Sequence, residues 1–183
     1  KYNENGLYCS FEPDIVETLK DALSYGWDFS KLNQQDQVKF LKFSPATSIE
    51  DLKSELTKLI ARYNIKRVCF DPISVLALNS INEGQIRETL FELVSLIKRL
   101  NVTSILTDES LENQRIENIE VSSGTSTDII NFLADSVVIF YESGASINAD
   151  RAIRIIKMRR TQHTRTPVPM QITQQGIQIS QPK

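Results

Sequence analysis

The sequence predicts an α/β fold: a mostly parallel sheet flanked by helices, with antiparallel strands at its C-terminal end. Three observations predict it. Apolar runs of strand length alternate with segments of helical period through residue 141. Several middle runs, such as Val68-Cys69-Phe70, are continuously apolar, the pattern of a strand covered on both faces. Beyond residue 141 strand-like runs follow one another without helices, as antiparallel strands do.

Each element has its own local reason. Residues 6–11 form a short apolar run. Pro13 then opens a helix on which Ile15, Leu19, Ala22 and Leu23 recur at helical spacing. Gly26 is placed to end it, since glycine adopts the left-handed conformation without penalty. Residues 38–43 read as a second strand. Ser48 suits the N-cap of a helix with Ile49, Leu52, Leu56, Leu59 and Ile60 on one face. Residues 67–71 form a third strand ending in an acid. Residues 83–100 form a helix that turns Ile86, Leu90, Leu93 and Ile97 inward. Residues 102–107 form a fourth strand, followed by Asp108-Glu109. Residues 111–126 are polar and irregular, 127–134 a short helix, and 136–141 a fifth strand. Residues 152–158 and 168–172 are strands joined by a basic turn, and Gln175-Gly176 makes a hairpin turn before 177–179.

At 183 residues, 40% apolar and 24% charged, the chain reads as one globular domain, residues 1–183. Cys9 and Cys69 sit inside apolar runs and read as core residues. Their number and spacing suit neither a disulfide framework nor a zinc site, which points to a reducing, cytoplasmic setting. Residues 1–6 are polar, so no signal peptide is expected. The apolar runs fall far short of the ~20 residues that a membrane span needs.

The net charge of −2 hides a strong asymmetry. Residues from Arg151 onward include seven Lys or Arg and no acid, whereas residues 1–150 hold fourteen basic and 23 acidic residues. A basic segment behind an acidic body suits a negatively charged partner: nucleotide phosphate, nucleic acid or an acidic neighbouring subunit. A solvated basic strand edge accounts for it as well.

Open parallel sheets bind ligands beyond the carboxyl ends of their strands. Glu12, Asp71 and Asp108-Glu109 each follow a strand, so neighbouring strands would gather these acids on one rim. An apolar strand ending in Asp matches a Walker B element, whose carboxylate holds Mg²⁺ directly or through water. A helix N-cap explains Asp71 equally well, and a first-turn acid explains Glu12. A phosphate-binding Gly-x-x-x-x-Gly-Lys-Ser/Thr loop is not encoded in these 183 residues, because none of the six glycines precedes a lysine. The sequence opens at about the end of the helix that such a loop would start. The expectation is a domain whose first strand, loop and most of the first helix precede Lys1.

Several segments together resemble the KaiC-like proteins of the RecA/RadA superfamily of P-loop ATPases, from Asn5 to Ile179. They are Gly6-Leu7-Tyr8-Cys9-Ser10-Phe11-Glu12, Tyr25-Gly26-Trp27-Asp28, and Arg67-Val68-Cys69-Phe70-Asp71-Pro72-Ile73-Ser74. Leu133-Ala134-Asp135-Ser136-Val137-Val138 follows, and Arg151-Ala152-Ile153-Arg154-Ile155-Ile156-Lys157-Met158-Arg159, with His163 and Gly176-Ile177, is the most specific. The resemblance implies a RecA-like core that binds ATP and Mg²⁺ in a homo-oligomeric ring or filament. It implies that Asp71 is the Walker B acid and that Glu12 is the catalytic base, the first of the family's two glutamates, with Pro13 in place of the second. It implies that Lys157, Arg159 and His163 form the Lys-x-Arg-x-x-x-His segment that reaches a neighbouring subunit's nucleotide, Lys157 and Arg159 with a catalytic part as well. Arg160 stands where the family has glycine, and Gln174 or Gln175 where it has an acid. Clock-type members carry adjacent Ser/Thr phosphorylation sites ahead of the strand near Asp135. Asn131 and Phe132 stand there, so autophosphorylation at that place is not expected.

Two rival readings remain. One is a pseudo-ATPase that serves as a signalling or interaction module with a protein partner. The other is a RadA-paralogue role on DNA, for which residues 111–126 are poorly suited: they hold Arg115 against Glu112, Glu117 and Glu120.

Overall fold

The computed structural model describes residues 3–11, 15–44, 46–77, 82–109, 126–142 and 151–179. Their elements run in the order β1 (Asn5–Ser10), α1 (Ile15–Ser24), α2 (Phe29–Gln34), β2 (Val38–Lys42), α3 (Ile49–Tyr63) and β3 (Ile65–Asp71). A 3₁₀ turn (Ile73–Ala77), α4 (Glu83–Arg99), β4 (Thr103–Leu106) and α5 (Ser126–Leu133) follow. β5 (Ser136–Glu142), β6 (Arg151–Met158), β7 (Val168–Thr173) and β8 (Gly176–Ile179) complete the chain. The α/β class expected from the sequence is therefore observed. The irregular stretch expected at 111–126 lies outside the described residues, apart from Ser126.

Four parallel strands form one sheet in the order β2-β1-β3-β4. The antiparallel strands bond to one another as a second sheet, β5-β6-β7-β8. Side chains alternate across a strand, and on one face of the parallel sheet Leu7, Cys9, Val68 and Phe70 are at most 3% exposed. Leu52, Leu56 and Ile60 of α3 and Leu90, Leu93, Leu96 and Ile97 of α4 pack onto that face. Ile129 and Ile130 of α5 join the same core.

The opposite face departs from the expectation of strands covered on both sides. Among the described residues α2 reaches it beside β2, where the rings of Phe29 and Phe40 lie 5.9 Å apart and those of Phe40 and Tyr8 5.7 Å apart. Farther along, Cys69 is half-buried and Ile105 of β4 is 64% exposed.

The helix ends follow local chemistry. Ser48 accepts a hydrogen bond from the Asp51 amide at 3.1 Å, the cap read from the sequence. Asn82 does the same for Gln85 at 3.0 Å on α4. Asn64 closes α3 at φ 48°, in the left-handed region that asparagine tolerates better than most residues. Helix α2 carries no apolar period and buries no residue; its Asp28 cap holds its start, which is why the sequence pattern did not show it. Gly176 turns β7 into β8 at φ +96°, and a β-carbon there would meet Trp27 at 3.4 Å, so the hairpin turn rests against the segment between α1 and α2.

Candidate functional site

The parallel register sets the first cluster. β3 is an interior strand, flanked by β1 and β4, and it ends at Asp71. Ser10 pairs with Asp71 across β1. Both oxygens of the carboxylate are engaged: the Tyr8 hydroxyl donates to Oδ2, and the Thr107 hydroxyl donates to Oδ1. The surrounding backbone is tied in the same place. Thr107 N donates to Phe70 O at 3.0 Å, Ile73 N to Thr107 O at 2.8 Å and Phe11 N to Asp71 O at 3.0 Å. The Asp71–Pro72 peptide is cis. Cys69, two residues back on the same face, has its thiol pushed up to about 11, first by burial and then by the Asp71 charge.

β1, β3 and β4 are indeed neighbours, so the carboxyl ends of these three strands meet on one rim. Glu12, together with Pro13, lies outside the described residues. Of the fourth-strand acids, Asp108 is half-buried and Glu109 exposed. No group of three or more His, Cys, Asp or Glu side chains suited to a metal occurs among the described residues. That donor set fits Mg²⁺ well enough, because this hard cation is commonly held by one or two carboxylates plus water and substrate phosphates, not by an all-protein cage.

The second cluster gathers at the end of α5. Helices leave their last four carbonyls without internal partners, and here each of the four is met. The Ala134 amide donates to Ile130 O at 2.8 Å. Lys157 Nζ donates to Asn131 O at 3.0 Å and to Phe132 O at 2.9 Å. Arg159 Nη2 also donates to Phe132 O, at 3.1 Å, and Lys98 Nζ reaches Leu133 O at 3.5 Å. Asp135 closes the group with ion pairs to Lys98 at 3.1 Å and Arg159 at 3.2 Å. The hydrogen bond from Lys98 above all, then its charge and the Arg159 contact, holds the Asp135 carboxyl below its ordinary value. Partial desolvation, then the neighbouring Arg159 charge, pulls Lys157 below the ordinary lysine value. His163 stands in the β6–β7 connection, with Nδ1 2.9 Å from the Thr164 carbonyl oxygen.

Lys157 and Arg159 thus lie together, as their alternation on one strand end implies. Among the described residues no hydrogen bond or ion pair joins either of them, or His163, to Asp71. Sequence reasoning missed Tyr8 and Thr107 as partners of Asp71, and Asp135 as the shared partner of Arg159 and Lys98. Thr107 immediately precedes the Asp108-Glu109 pair that the sequence singled out. Tyr8 is a polar-tipped residue inside an apolar strand, the only local signal that it carried.

Comparison with known proteins comes to the same place. A family model described as "ATPase: KaiC" matches residues 1–183. The chain is 29% identical over 188 residues to the circadian clock oscillator protein KaiC of Parathermosynechococcus lividus, covering 98% of this chain and 34% of that protein. It is 30% identical over 187 residues to the KaiC of Nostoc sp., covering 97% and 35%. The crystal structure of a KaiC-like protein from Pyrococcus horikoshii superposes with a TM-score of 0.82 at 25% identity, covering 99% of this chain and 77% of that one. The chain therefore spans 34–35% of the length of these two curated relatives.

Proposed function

We propose, from the premise that this chain belongs to the KaiC family of ATPases, that it is an ATP-binding, ATP-hydrolysing domain that works in a homo-oligomer. The observation that carries the reading is the Asp71 carboxylate at the end of an interior parallel strand, held by hydroxyls from the strands on both sides. Asp71 would hold Mg²⁺, which when bound neutralises charge on the phosphates. Glu12 takes the part of general base toward the attacking water. Lys157, Arg159 and His163 face the nucleotide of a neighbouring subunit, where a cation stabilises charge on the phosphoryl group. In this reading the phosphate cradle comes from a segment outside these 183 residues, since they hold no Gly-Lys pair.

Charge supports the oligomer. The C-terminal strands carry only basic charge and the rest of the chain is acidic, which favours head-to-tail contact between copies. No helix among the described residues is long and apolar enough to cross a membrane, and a cytoplasmic setting is part of the proposal.

The test is ATP binding and turnover by the full-length protein, with its mass measured with and without nucleotide. Binding, turnover and a ring- or filament-sized species are expected, and Asp71→Asn should abolish turnover. A full-length protein that binds no ATP would overturn the reading in favour of an interaction module.

A further inference from the structure

We propose that Tyr8 and Thr107 are positioning residues that fix the Asp71 carboxylate in the orientation that a divalent cation meets. The inference rests on the cation-holding role proposed for Asp71. A free carboxylate rotates about its terminal torsion, whose energy wells are broad. Here one hydroxyl occupies each oxygen, Tyr8 on Oδ2 and Thr107 on Oδ1, so a rotation breaks both bonds together. A carboxylate offers about four lone-pair sites. Two are used by the hydroxyls, which leaves one acceptor direction on each oxygen for a cation or its bound water.

Both donors are themselves held. The Tyr8 ring is braced by Phe40 at 5.7 Å, and Phe40 by Phe29 of α2 at 5.9 Å. That row gives the short, otherwise coreless helix α2 a connection to the site. Thr107 is pinned through its own backbone, its amide on Phe70 O and its carbonyl on Ile73 N, and its hydroxyl also lies 3.4 Å from Phe70 O. Rigid donors behind a ligand raise its effectiveness because little freedom is lost when the cation arrives.

The experiment uses the full-length protein with a non-hydrolysable ATP analogue and measures Mn²⁺ affinity by electron paramagnetic resonance. Tyr8→Phe and Thr107→Val each remove one hydroxyl at nearly constant volume. Each should weaken Mn²⁺ by ~10–100-fold, the range for partners behind a metal ligand. Thr107→Ser, which restores the hydroxyl, should return the parent affinity, and metal-free nucleotide affinity should not move. The proposal is overturned if Asp71→Asn weakens Mn²⁺ while Tyr8→Phe and Thr107→Val leave it alone; the ATPase reading then stands. If Asp71→Asn itself has no effect, the role of Asp71 falls, and the proposal with it.

Discussion

Replacing Lys157 by Met tests whether the cation cluster holds α5 in place. Methionine keeps most of the apolar stem and removes the charged head. The structure sets the magnitude. Asn131 O has Lys157 as its donor, whereas Phe132 O retains Arg159 Nη2 when Lys157 is lost. One carbonyl of the last turn is therefore left without its donor and a second is half-relieved. A cation at a helix C-terminus contributes about 0.3–1 kcal/mol when exposed and up to ~2 when partly buried. Lys157 is half-buried, and its depressed pKa shows that desolvation opposes the charge. A loss of about 1.5 kcal/mol is expected, or roughly 3–6 °C in Tm for a chain of this size. Arg159→Gln should cost only about 0.5 kcal/mol, because its carbonyl is shared and its pair with Asp135 is exposed. Lys98→Met, whose carbonyl contact is 3.5 Å long, should cost about as little. The assay is thermal and urea unfolding of the three variants beside the parent protein. Equal losses, or a reversed order, would refute the capping argument. The same variants bear on the trans role: a fall in ATP turnover measured far below Tm, with stability nearly intact, belongs to nucleotide contact and not to α5.

Two further predictions concern the scaffold. Burial, with a smaller push from Cys69, raises the Cys9 thiol far above its ordinary value of 9.0. The unfolded chain then releases this proton first, so stability falls as pH rises past the unfolded value, by about 1.4 kcal/mol per pH unit while the native thiol stays protonated. Urea unfolding between pH 8 and 10.5 should show a shallower decline in Cys9→Ala than in the parent protein; identical slopes would count against it. Asn64 closes α3 in the left-handed region, so Asn64→Gly should be neutral or slightly stabilising and Asn64→Val should cost about 1–2 kcal/mol, read from urea midpoints.

Sequence alone determined what depends on neighbours a few residues away. The apolar period on α3 and α4, the Ser48 cap and the turn at Gly176 are local properties, and each is legible in the sequence. The placement of Asp71 at a strand end belongs with them. The tertiary structure alone decided what those elements meet. Tyr8 lies 63 residues from Asp71 and Thr107 lies 36 residues from it, and only the parallel register of β1, β3 and β4 brings two such distant side chains onto one carboxylate. Helix α2 escaped notice because six residues without a buried face leave no period to read. Lys157 and Arg159 announced a pair by their spacing, yet the carbonyls that they bind belong to a helix more than twenty residues earlier. Hydrogen-bond donors show their chemistry in the sequence, but their acceptors are chosen by how strands and helices stack as apolar surface is buried.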